Sequence, residues 1–247
     1  MKFAAQTDRG IRRGRNEDCY YVNPKNNLFV IADGMGGHSA GGIASQMAVA
    51  VFQNWVEELD DEPAFNHNTD PSEKISILTE LTMESNRRIY AQSQQLGIPD
   101  GMGTTLTNGF LDCAHLCYVH VGDSRLYILR DGALMQITKD HSLVQEMVDA
   151  GKISPETARV HPQRNIIRNA VGLEPTLKID SGCYPLQQGD LVLACTDGLH
   201  DMIVDDAEIA RLIAAAPNLD AACHNLIDAS LDYGGEDNVT LILAKPD

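Results

Sequence analysis

The sequence predicts an α+β fold in which antiparallel β-sheet is covered by pairs of helices. Strand-like runs arrive in blocks, and segments with helical periodicity occur in pairs between those blocks. Gly, Asn, Asp or Pro residues bound most of the strand-like runs, as is usual for short strands. A regular β-α-β-α alternation would predict a parallel sheet, and a lack of helices would predict an all-β fold. Neither pattern fits, so we expect helices packed on antiparallel sheet.

The first half of the chain contains three short strands and then two long helices. The strands are predicted at residues 2–7 (KFAAQT), 19–22 (CYYV) and 28–32 (LFVIA). Apolar residues at spacings of three and four predict the first helix over 43–59. Residues 60–71 are polar, contain two prolines and predict a loop before the second helix. The apolar positions of the two helices are Ala44, Met47, Ala48, Val51, Trp55 and Leu59, then Ile75, Leu78, Leu81 and Ile89.

The second half of the chain returns to strands and ends with a second pair of helices. Four closely spaced runs predict an antiparallel meander at 104–111, 115–121, 125–130 and 133–138. Residues 141–170 are irregular and partly helical by the same criteria. The remaining elements are strands at 177–184 and 190–196, helices at 205–216 and 219–231, and a last strand at 239–244.

The composition is that of a folded protein with an acidic surface. The 247 residues are 43% hydrophobic and 22% charged, and the formal net charge is -16. This charge repels nucleic acid and anionic lipid headgroups, so neither is an expected partner. No run approaches the roughly 18 consecutive apolar residues of a membrane helix, and the opening MKFAAQTDRG lacks the apolar core of a signal peptide. We therefore expect a cytoplasmic protein without a membrane segment, and a monomer.

The cysteines predict a reducing compartment. There are six, at positions 19, 113, 117, 183, 195 and 223, with no C-x-x-C pair and no zinc-finger spacing. Most of them lie inside apolar runs. That usage is typical of reduced, buried thiols in a cytosolic protein.

Four apolar strands are joined at one end to an aspartate that lies beside a small or turn-forming residue. These are Asp33 (VIADG), Asp123 (HVGDS), Asp197 (ACTDG) and Asp237 (GGEDN). A single Asp-Gly pair is usually a hairpin turn, as we expect at Asp131. Strands in a sheet lie about 4.8 Å apart, however, so several strand ends can bring carboxylates to one place. A divalent cation would remove their repulsion. Oxygen ligands favour Mg²⁺ or Mn²⁺ over Zn²⁺, and two such ions are the usual arrangement for hydrolysing phosphate esters.

Two other chemistries fit the sequence poorly. The stretch LFVIADGMGGHSAGG (28–42) resembles a nucleotide-binding glycine loop, but no Lys or Arg lies between Lys25 and Lys74. Ser39 also stands where the third glycine of a dinucleotide fingerprint would be. No Cys is followed six positions later by Arg, and there is no D-x-D. A covalent phosphocysteine or phosphoaspartate route therefore has no visible nucleophile.

Seven motifs occur in an order that resembles a known family. They are GIRRGRNED, VIADGMGGHSAGG, MGTTL, VGDSRLY, DHS, CTDGL and GGEDNVT, and they extend from residue 10 to 240. Together they resemble the metal-dependent protein serine/threonine phosphatases of the protein phosphatase 2C family, in its compact bacterial form. The resemblance implies one catalytic domain over residues 1–247, a four-layer α-β-β-α sandwich with two mostly antiparallel sheets, and a flap at 142–170. It also implies that this flap lies beside the active site, where His161 is a weaker candidate for substrate contact.

The resemblance also implies a set of metal ligands. Asp33 would bridge two Mn²⁺ or Mg²⁺ ions, and the Gly34 carbonyl would bind one of them. Asp197 and Asp237 would complete the coordination of the second ion. Asp18 would hold metal-bound water through a hydrogen bond. A third, weaker ion would bind at Asp123, with Asp197 shared between sites.

Two further residues would act on the substrate. Arg13, five residues before Asp18, matches the arginine that binds the substrate phosphate, and a guanidinium can hold two phosphate oxygens in one plane. Eukaryotic members have His directly after Asp-Gly, whereas this chain has Met35 there and a histidine at position 38. His38 would either donate a proton to the leaving alkoxide or only order the loop.

The reaction implied is hydrolysis of phosphoserine and phosphothreonine on proteins. A metal-bridging hydroxide would attack phosphorus directly, without a phosphoenzyme intermediate, and the enzyme would oppose a serine/threonine kinase in signalling. One alternative is a non-catalytic phosphoprotein-binding module on the same fold, which would be expected to lack a metal ligand. Another is a nucleotide-binding oxidoreductase that uses the glycine loop, and the glycine spacing argues against it.

Overall fold

The computed structural model describes residues 1–36, 40–59, 69–98 and 101–246. It contains two antiparallel sheets, a first sheet in which both chain ends take part and a second sheet built mainly from the middle of the chain. In spatial order, the first sheet contains β1 (Lys2–Asp8), β11 (Val239–Lys245), β10 (Leu191–Cys195), β7 (Arg125–Arg130) and β8 (Ala133–Gln136). The second sheet contains β2 (Asp18–Asn23), β3 (Leu28–Met35), β5 (Leu106–Leu111), β6 (His115–Val121) and β9 (Asp180–Pro185), with β4 (Gly103–Thr104) paired to β3.

Helices cover the outer faces of both sheets. The helices within the described ranges are α1 (Ala40–Glu57), α2 (Pro71–Leu96), α3 (Leu143–Asp149), α4 (Pro155–Arg159), α5 (Asp197–His200), α6 (Asp206–Ala214) and α7 (Leu219–Asp232). The pair α1 and α2 packs on the second sheet, and the pair α6 and α7 packs on the first. This arrangement is the expected four-layer α-β-β-α sandwich. The predicted loop 60–71 lies mostly outside the described residues.

The long helix α2 is capped at both ends, by Asp70 at its N-terminus and by Gly97 at its C-terminus. Asp70 accepts a hydrogen bond from the Ser72 N–H at 2.8 Å, and Pro71 takes the first turn, where its missing N–H costs nothing. Gly97 closes the helix with φ of +61°, a conformation that favours glycine. The apolar face between these caps includes Leu78 and Ile89, both fully buried.

Three apolar layers hold the sandwich together. Phe29, Ile31, Leu126, Val192 and Ile242 fill the space between the two sheets. A second cluster lies between the second sheet and α1 and α2, and a third lies between the first sheet and α6 and α7. Strand β3 is buried on both faces, which explains its continuous apolar run. Each large side chain buried in this way contributes about 1.5–3 kcal/mol.

The predicted four-stranded meander is wrong, because its strands divide between the two sheets. Strands β5 and β6 form a hairpin in the second sheet, and β7 and β8 form a hairpin in the first. The chain crosses from one sheet to the other at residues 122–124. Gly122 has φ of +110°, and a Cβ there would lie 2.6 Å from the Thr105 side chain. Only glycine allows so close a crossing, and this crossing places Asp123 at the edge of the sandwich. Asp131 and Gly132 form the exposed turn expected between β7 and β8.

The expectation of reduced, buried thiols is correct for Cys195 and Cys223 but wrong for Cys117 and Cys183. Cys117 and Cys183 form a disulfide between β6 and β9, where they are direct partners in the strand register with Cα atoms 4.1 Å apart. They are 66 residues apart in sequence, so no local spacing announces the pair. The other four cysteines are free. Cys195 and Cys223 are buried, whereas Cys113 is exposed.

In the described parts of the chain, no helix combines the length and the apolar character that crossing a bilayer requires.

Candidate active site

The aspartates singled out by the sequence meet at one edge of the sandwich. Asp18 and Asp33 face each other in the register of β2 and β3. Asp197 begins α5 two residues after the end of β10, and Asp237 lies two residues before β11. The negative charges of all these neighbours, together with Asp123, act on the Asp33 carboxyl. The structure therefore brings together the five carboxylates of the predicted site.

Two threonines hold Asp18. Its Oδ2 accepts hydrogen bonds from the hydroxyls of Thr196 at 3.0 Å and Thr240 at 2.6 Å. Its Oδ1 is buried without a hydrogen-bond partner among the described residues. Burial, and to a smaller extent the charge of Asp237, raises the pKa of Asp18 to about 6. The sequence analysis did not single out either threonine, although each lies within three residues of a predicted ligand.

The MGTTL motif fixes the backbone of Asp33. The Asp33 N–H donates to the Thr105 hydroxyl at 2.9 Å, and its carbonyl accepts from the Thr105 N–H and the Thr104 hydroxyl, both at 2.8 Å. These three hydrogen bonds use only the backbone of Asp33, so they leave its side-chain carboxyl available to the acidic cluster. Burial, followed by the charges of Asp18 and Asp197, raises the pKa of its carboxyl well above the usual range.

Gly34 leaves no room for a side chain. A Cβ at this position would lie 2.2 Å from the Gly41 carbonyl oxygen and 2.6 Å from the Glu17 carbonyl oxygen. The start of α1 therefore packs directly on the segment that carries Asp33, through the backbones of two glycines. This contact, rather than an ability to bind phosphate, accounts for these glycines of the loop.

Asp123 and Asp197 supply further unpaired oxygens. The Oδ1 atom of each is buried and has no hydrogen-bond partner among the described residues. Burial raises the pKa of Asp123 to about 7, with help from the charges of Asp140 and Asp201. Burial and then the charges of Asp123 and Asp237 raise the pKa of Asp197 well above its usual range. Clustered carboxylates with raised pKa values and unsatisfied oxygens are the chemistry that a hard divalent cation neutralises.

The carboxylate oxygens are chemically suited to a divalent cation, but their side chains would have to reorient before several of them could bind the same ion. Within the described ranges, no group of three or more Asp, Glu, His or Cys side chains is arranged to hold a metal ion as it stands. Asp237 is instead paired with the guanidinium of Arg13, and Asp18 with its two threonines.

Asn238 is a positioning residue that the sequence analysis missed. Its Nδ2 donates to the carbonyls of Arg9 and Arg15, both at 2.8 Å, and its Oδ1 accepts from the Glu17 N–H at 2.8 Å. Next to Asp237 in sequence, it ties the arginine-rich segment 9–15 to the acidic edge. The only signal was its place directly after a predicted metal ligand.

The DHS motif connects the flap with the crossing that carries Asp123. The Nδ1 of His141 accepts hydrogen bonds from the Gly122 N–H at 3.2 Å and the Asn169 Nδ2 at 2.8 Å. A cavity of about 140 Å³ lies beside this connection. Its lining includes Asp123 and Asp197 together with Val144 and Arg159 of segment 142–170.

The two histidine candidates have different outcomes. His38 lies outside the described residues, so its predicted role stays a prediction. His161 uses its Nδ1 to accept a hydrogen bond from the Gln163 N–H at 3.1 Å, which closes a local turn of the flap. This contact supports a structural role.

Comparisons with known proteins agree with this fold. The family described as Protein phosphatase 2C matches residues 10–231. The chain is 40% identical over 247 residues to the serine/threonine protein phosphatase PstP of Mycobacterium tuberculosis, covering 99% of this chain and 45% of that protein. It therefore spans less than half the length of this relative. It is 37% identical over 252 residues to the serine/threonine phosphatase stp of Listeria monocytogenes, covering 100% of this chain and 96% of the relative.

A solved structure of the same type contains metal. The crystal structure of the catalytic domain of PstP in complex with two manganese ions has a TM-score of 0.85 and 38% identity, covering 100% of this chain and 98% of the other. The sandwich is thus the fold of a group of serine/threonine phosphatases. This chain belongs to the protein phosphatase 2C family.

Proposed function

We propose that the chain hydrolyses phosphoserine and phosphothreonine on proteins, using Mn²⁺ or Mg²⁺ and forming no phosphoenzyme. The observation that carries the proposal is the acidic cluster, in which three buried carboxylate oxygens have no hydrogen-bond partner among the described residues and an arginine lies alongside. Membership of the family and the manganese complex of PstP point to the same activity.

The carboxylates would hold the ions as the family resemblance implies. Asp33, the Gly34 carbonyl, Asp197 and Asp237 would hold two ions, and Asp123 would share Asp197 in holding a third, weaker one. Divalent cations at this place would supply Lewis acidity, which activates water and neutralises charge on the phosphoryl oxygens.

The side chains beside the ions would act on water and on phosphate. The two threonine hydroxyls fix one oxygen of Asp18, so its other oxygen can accept a hydrogen bond from the attacking water. Arg13 would hold two phosphate oxygens with its planar guanidinium. A cation that takes the Asp237 carboxylate would release Arg13 from its ion pair and make it available to the phosphate.

A reaction through a covalent phosphocysteine is disfavoured at this site. Cys195 is two residues from Asp197, but burial raises the pKa of its thiol far above neutral pH. The thiolate, which is the reactive form, is therefore scarce. Direct attack by water is therefore the route that we propose, with His38 as the candidate that protonates the leaving alkoxide.

We extend the proposal to the biological setting. The chain would act as a single catalytic domain and a monomer, with the flap at 142–170 beside the site. Phosphorylated proteins would be its substrates and a serine/threonine kinase its opponent, in the cytoplasm. The net charge of -16 argues against nucleic acid or an anionic membrane surface as a partner.

Phosphate release from a phosphothreonine peptide tests the activity. We expect hydrolysis that needs Mn²⁺, stops when a chelator is added, and is lost in Asp33→Asn. Asp131→Asn is the matched control, because Asp131 lies in an exposed turn with φ of +51° that asparagine also adopts. Activity that persists both in chelator and in Asp33→Asn would refute the proposal. Phosphopeptide binding without turnover in Mn²⁺ would instead favour the non-catalytic module.

A further inference from the structure

We propose that Arg9, Arg12 and Arg15 form a docking surface for acidic residues that flank the phosphorylated side chain of the substrate. The proposal rests on the proposed function and names the substrate class of the same site. We call these three residues the arginine surface.

The arginine surface is distinguished by its unpaired charge. The chain has twelve arginines, and nine of them form salt bridges with carboxylates. In the described part of the chain, the three without such a partner are Arg9, Arg12 and Arg15. All three side chains are exposed, and the segment 9–15 contains no acidic residue. In a chain of net charge -16, this is a local concentration of available positive charge.

The backbone beneath these side chains is held firmly. Asn238 binds the carbonyls of Arg9 and Arg15, and the N–H groups of Ile11 and Arg12 donate to the Gly235 carbonyl at 2.8 and 3.1 Å. Gly10 has φ of +75°, and a Cβ there would lie 2.1 Å from the Asp237 carbonyl oxygen. A segment fixed in this way loses little backbone entropy when it binds a partner.

The arginine surface is next to the place where the phosphate would bind. Arg13 lies in the same segment, and its guanidinium contacts Asp237. Consecutive Cα atoms are about 3.8 Å apart, so the backbones of Arg12 and Arg15 lie within about 8 Å of Arg13. An extended peptide advances about 3.3 Å per residue, so side chains a few positions from the phosphorylated residue reach this surface.

The chemistry of the surface favours a short acidic peptide segment. Guanidinium groups hold carboxylates through two parallel hydrogen bonds, which suits Asp, Glu or a second phosphorylated residue. Ile11 and Tyr233 are each 60% exposed. Ile11 itself donates its N–H to the Gly235 carbonyl, and Tyr233 lies two residues before Gly235 in sequence. They offer apolar area to the stems of peptide side chains. A long polyanion or a charged membrane would meet repulsion from the rest of the chain.

The test compares two phosphothreonine peptides that differ only in their flanks, one with glutamates and one with glutamines. With Mn²⁺ present, we expect a higher kcat/KM for the acidic peptide, and a weaker preference at high salt. In the double variant Arg12→Gln/Arg15→Gln the preference should fall about three- to tenfold, mainly through KM, as expected for two exposed charges. Arg87→Gln removes the same charge from an exposed, salt-bridged position on α2 and should keep the full preference.

A binding measurement separates this proposal from the activity. Fluorescence anisotropy of the two labelled peptides in chelator should show tighter binding of the acidic peptide, and this difference should be lost in the double variant. If neither peptide is hydrolysed in Mn²⁺, the proposed function fails. The binding measurement would still show whether the arginine surface binds acidic peptides. The inference would be overturned if the wild-type chain had the same kcat/KM and affinity for both peptides. It would also be overturned if the double variant lost affinity for both peptides equally. Arginine-dependent binding to phosphatidylglycerol vesicles together with an unchanged peptide preference would overturn it as well.

Discussion

The guanidinium of Arg13 forms an ion pair with the carboxylate of Asp237, although 224 positions separate the two residues in sequence. Arg13 is the residue expected to hold the substrate phosphate, and Asp237 is expected to bind metal. The same carboxylate therefore has two competing positive partners. Under the proposed function, phosphate binding and metal binding would be linked through this contact.

We predict that Arg13→Ala increases the affinity for Mn²⁺ and decreases turnover of phosphopeptides. The substitution removes a competitor for Asp237 and a positive charge that repels the ion. Since Arg13 is half exposed, the gain in Mn²⁺ affinity should be small, about two- to fivefold. Calorimetric titration with Mn²⁺ measures the affinity. Weaker Mn²⁺ binding by this variant would contradict the competition.

We predict that Asn238→Ala destabilises the fold and raises KM for phosphopeptides. Asn238 is buried and makes three hydrogen bonds that attach segment 9–15 to the acidic edge. Their loss should lower the free energy of unfolding by about 1–3 kcal/mol. Urea unfolding and steady-state kinetics measure the two effects. Asn54→Ala, at an exposed position of α1, is the control. An unchanged KM would mean that the segment holds its position without this clamp.

We predict that Gly34→Ala prevents metal binding and that Gly42→Ala does not. The new Cβ of Gly34→Ala would overlap the Gly41 backbone at 2.2 Å, so β3 and α1 must separate. Overpacking of this kind costs about 1–3 kcal/mol or more. At Gly42 the nearest atom is 3.7 Å away, an ordinary contact, and alanine is favourable inside a helix. Thermal unfolding with and without Mn²⁺ compares the two variants. Equal Mn²⁺ stabilisation in both would show that this contact is not needed.

We predict that His120 makes the fold sensitive to acid. Its ring is fully buried and hydrogen-bonded to the Thr107 hydroxyl at 2.8 Å. Burial, and then the neighbouring His141, lowers the pKa of His120 to about 4. The ordinary value is about 6.5, so the unfolded chain takes up a proton first as the pH falls. The contribution of His120 to stability is therefore complete above about pH 6.5 and decreases between there and about pH 4.

A comparison of stability curves checks this sign. Urea unfolding in chelator at several pH values should show a smaller loss on acidification for His120→Gln than for the wild-type chain. The acidic cluster acts in the opposite direction, because burial raises the pKa values of Asp18 and Asp123. Only the difference between variant and wild type isolates His120. Parallel curves would mean that His120 is not the acid-sensitive group.

Much of the fold was predictable because its signals are local. Apolar spacing placed helices α1, α6 and α7 within a few residues of their observed bounds, and it located α2 without giving its ends. The assignment of strands to sheets was not predictable in the same way. Strands β6 and β7 are separated by three residues, yet they belong to different sheets. Nothing local distinguishes the crossing at Gly122 from the turn at Gly132, since both are short and contain glycine.

The aspartates illustrate the same division. By itself, the sequence determined which carboxylates end strands, and the order of motifs determined the family. Asp131 and Asp197 are both followed by glycine, but Asp131 lies in an exposed turn whereas a carboxylate oxygen of Asp197 is buried in the site. Only the tertiary structure decided that Arg13 meets Asp237, that Asn238 holds segment 9–15, and that Cys117 faces Cys183. Local patterns specify an element and its buried face. Which strand ends meet depends on the packing of both sheets at once, and that packing joins residues far apart in the chain.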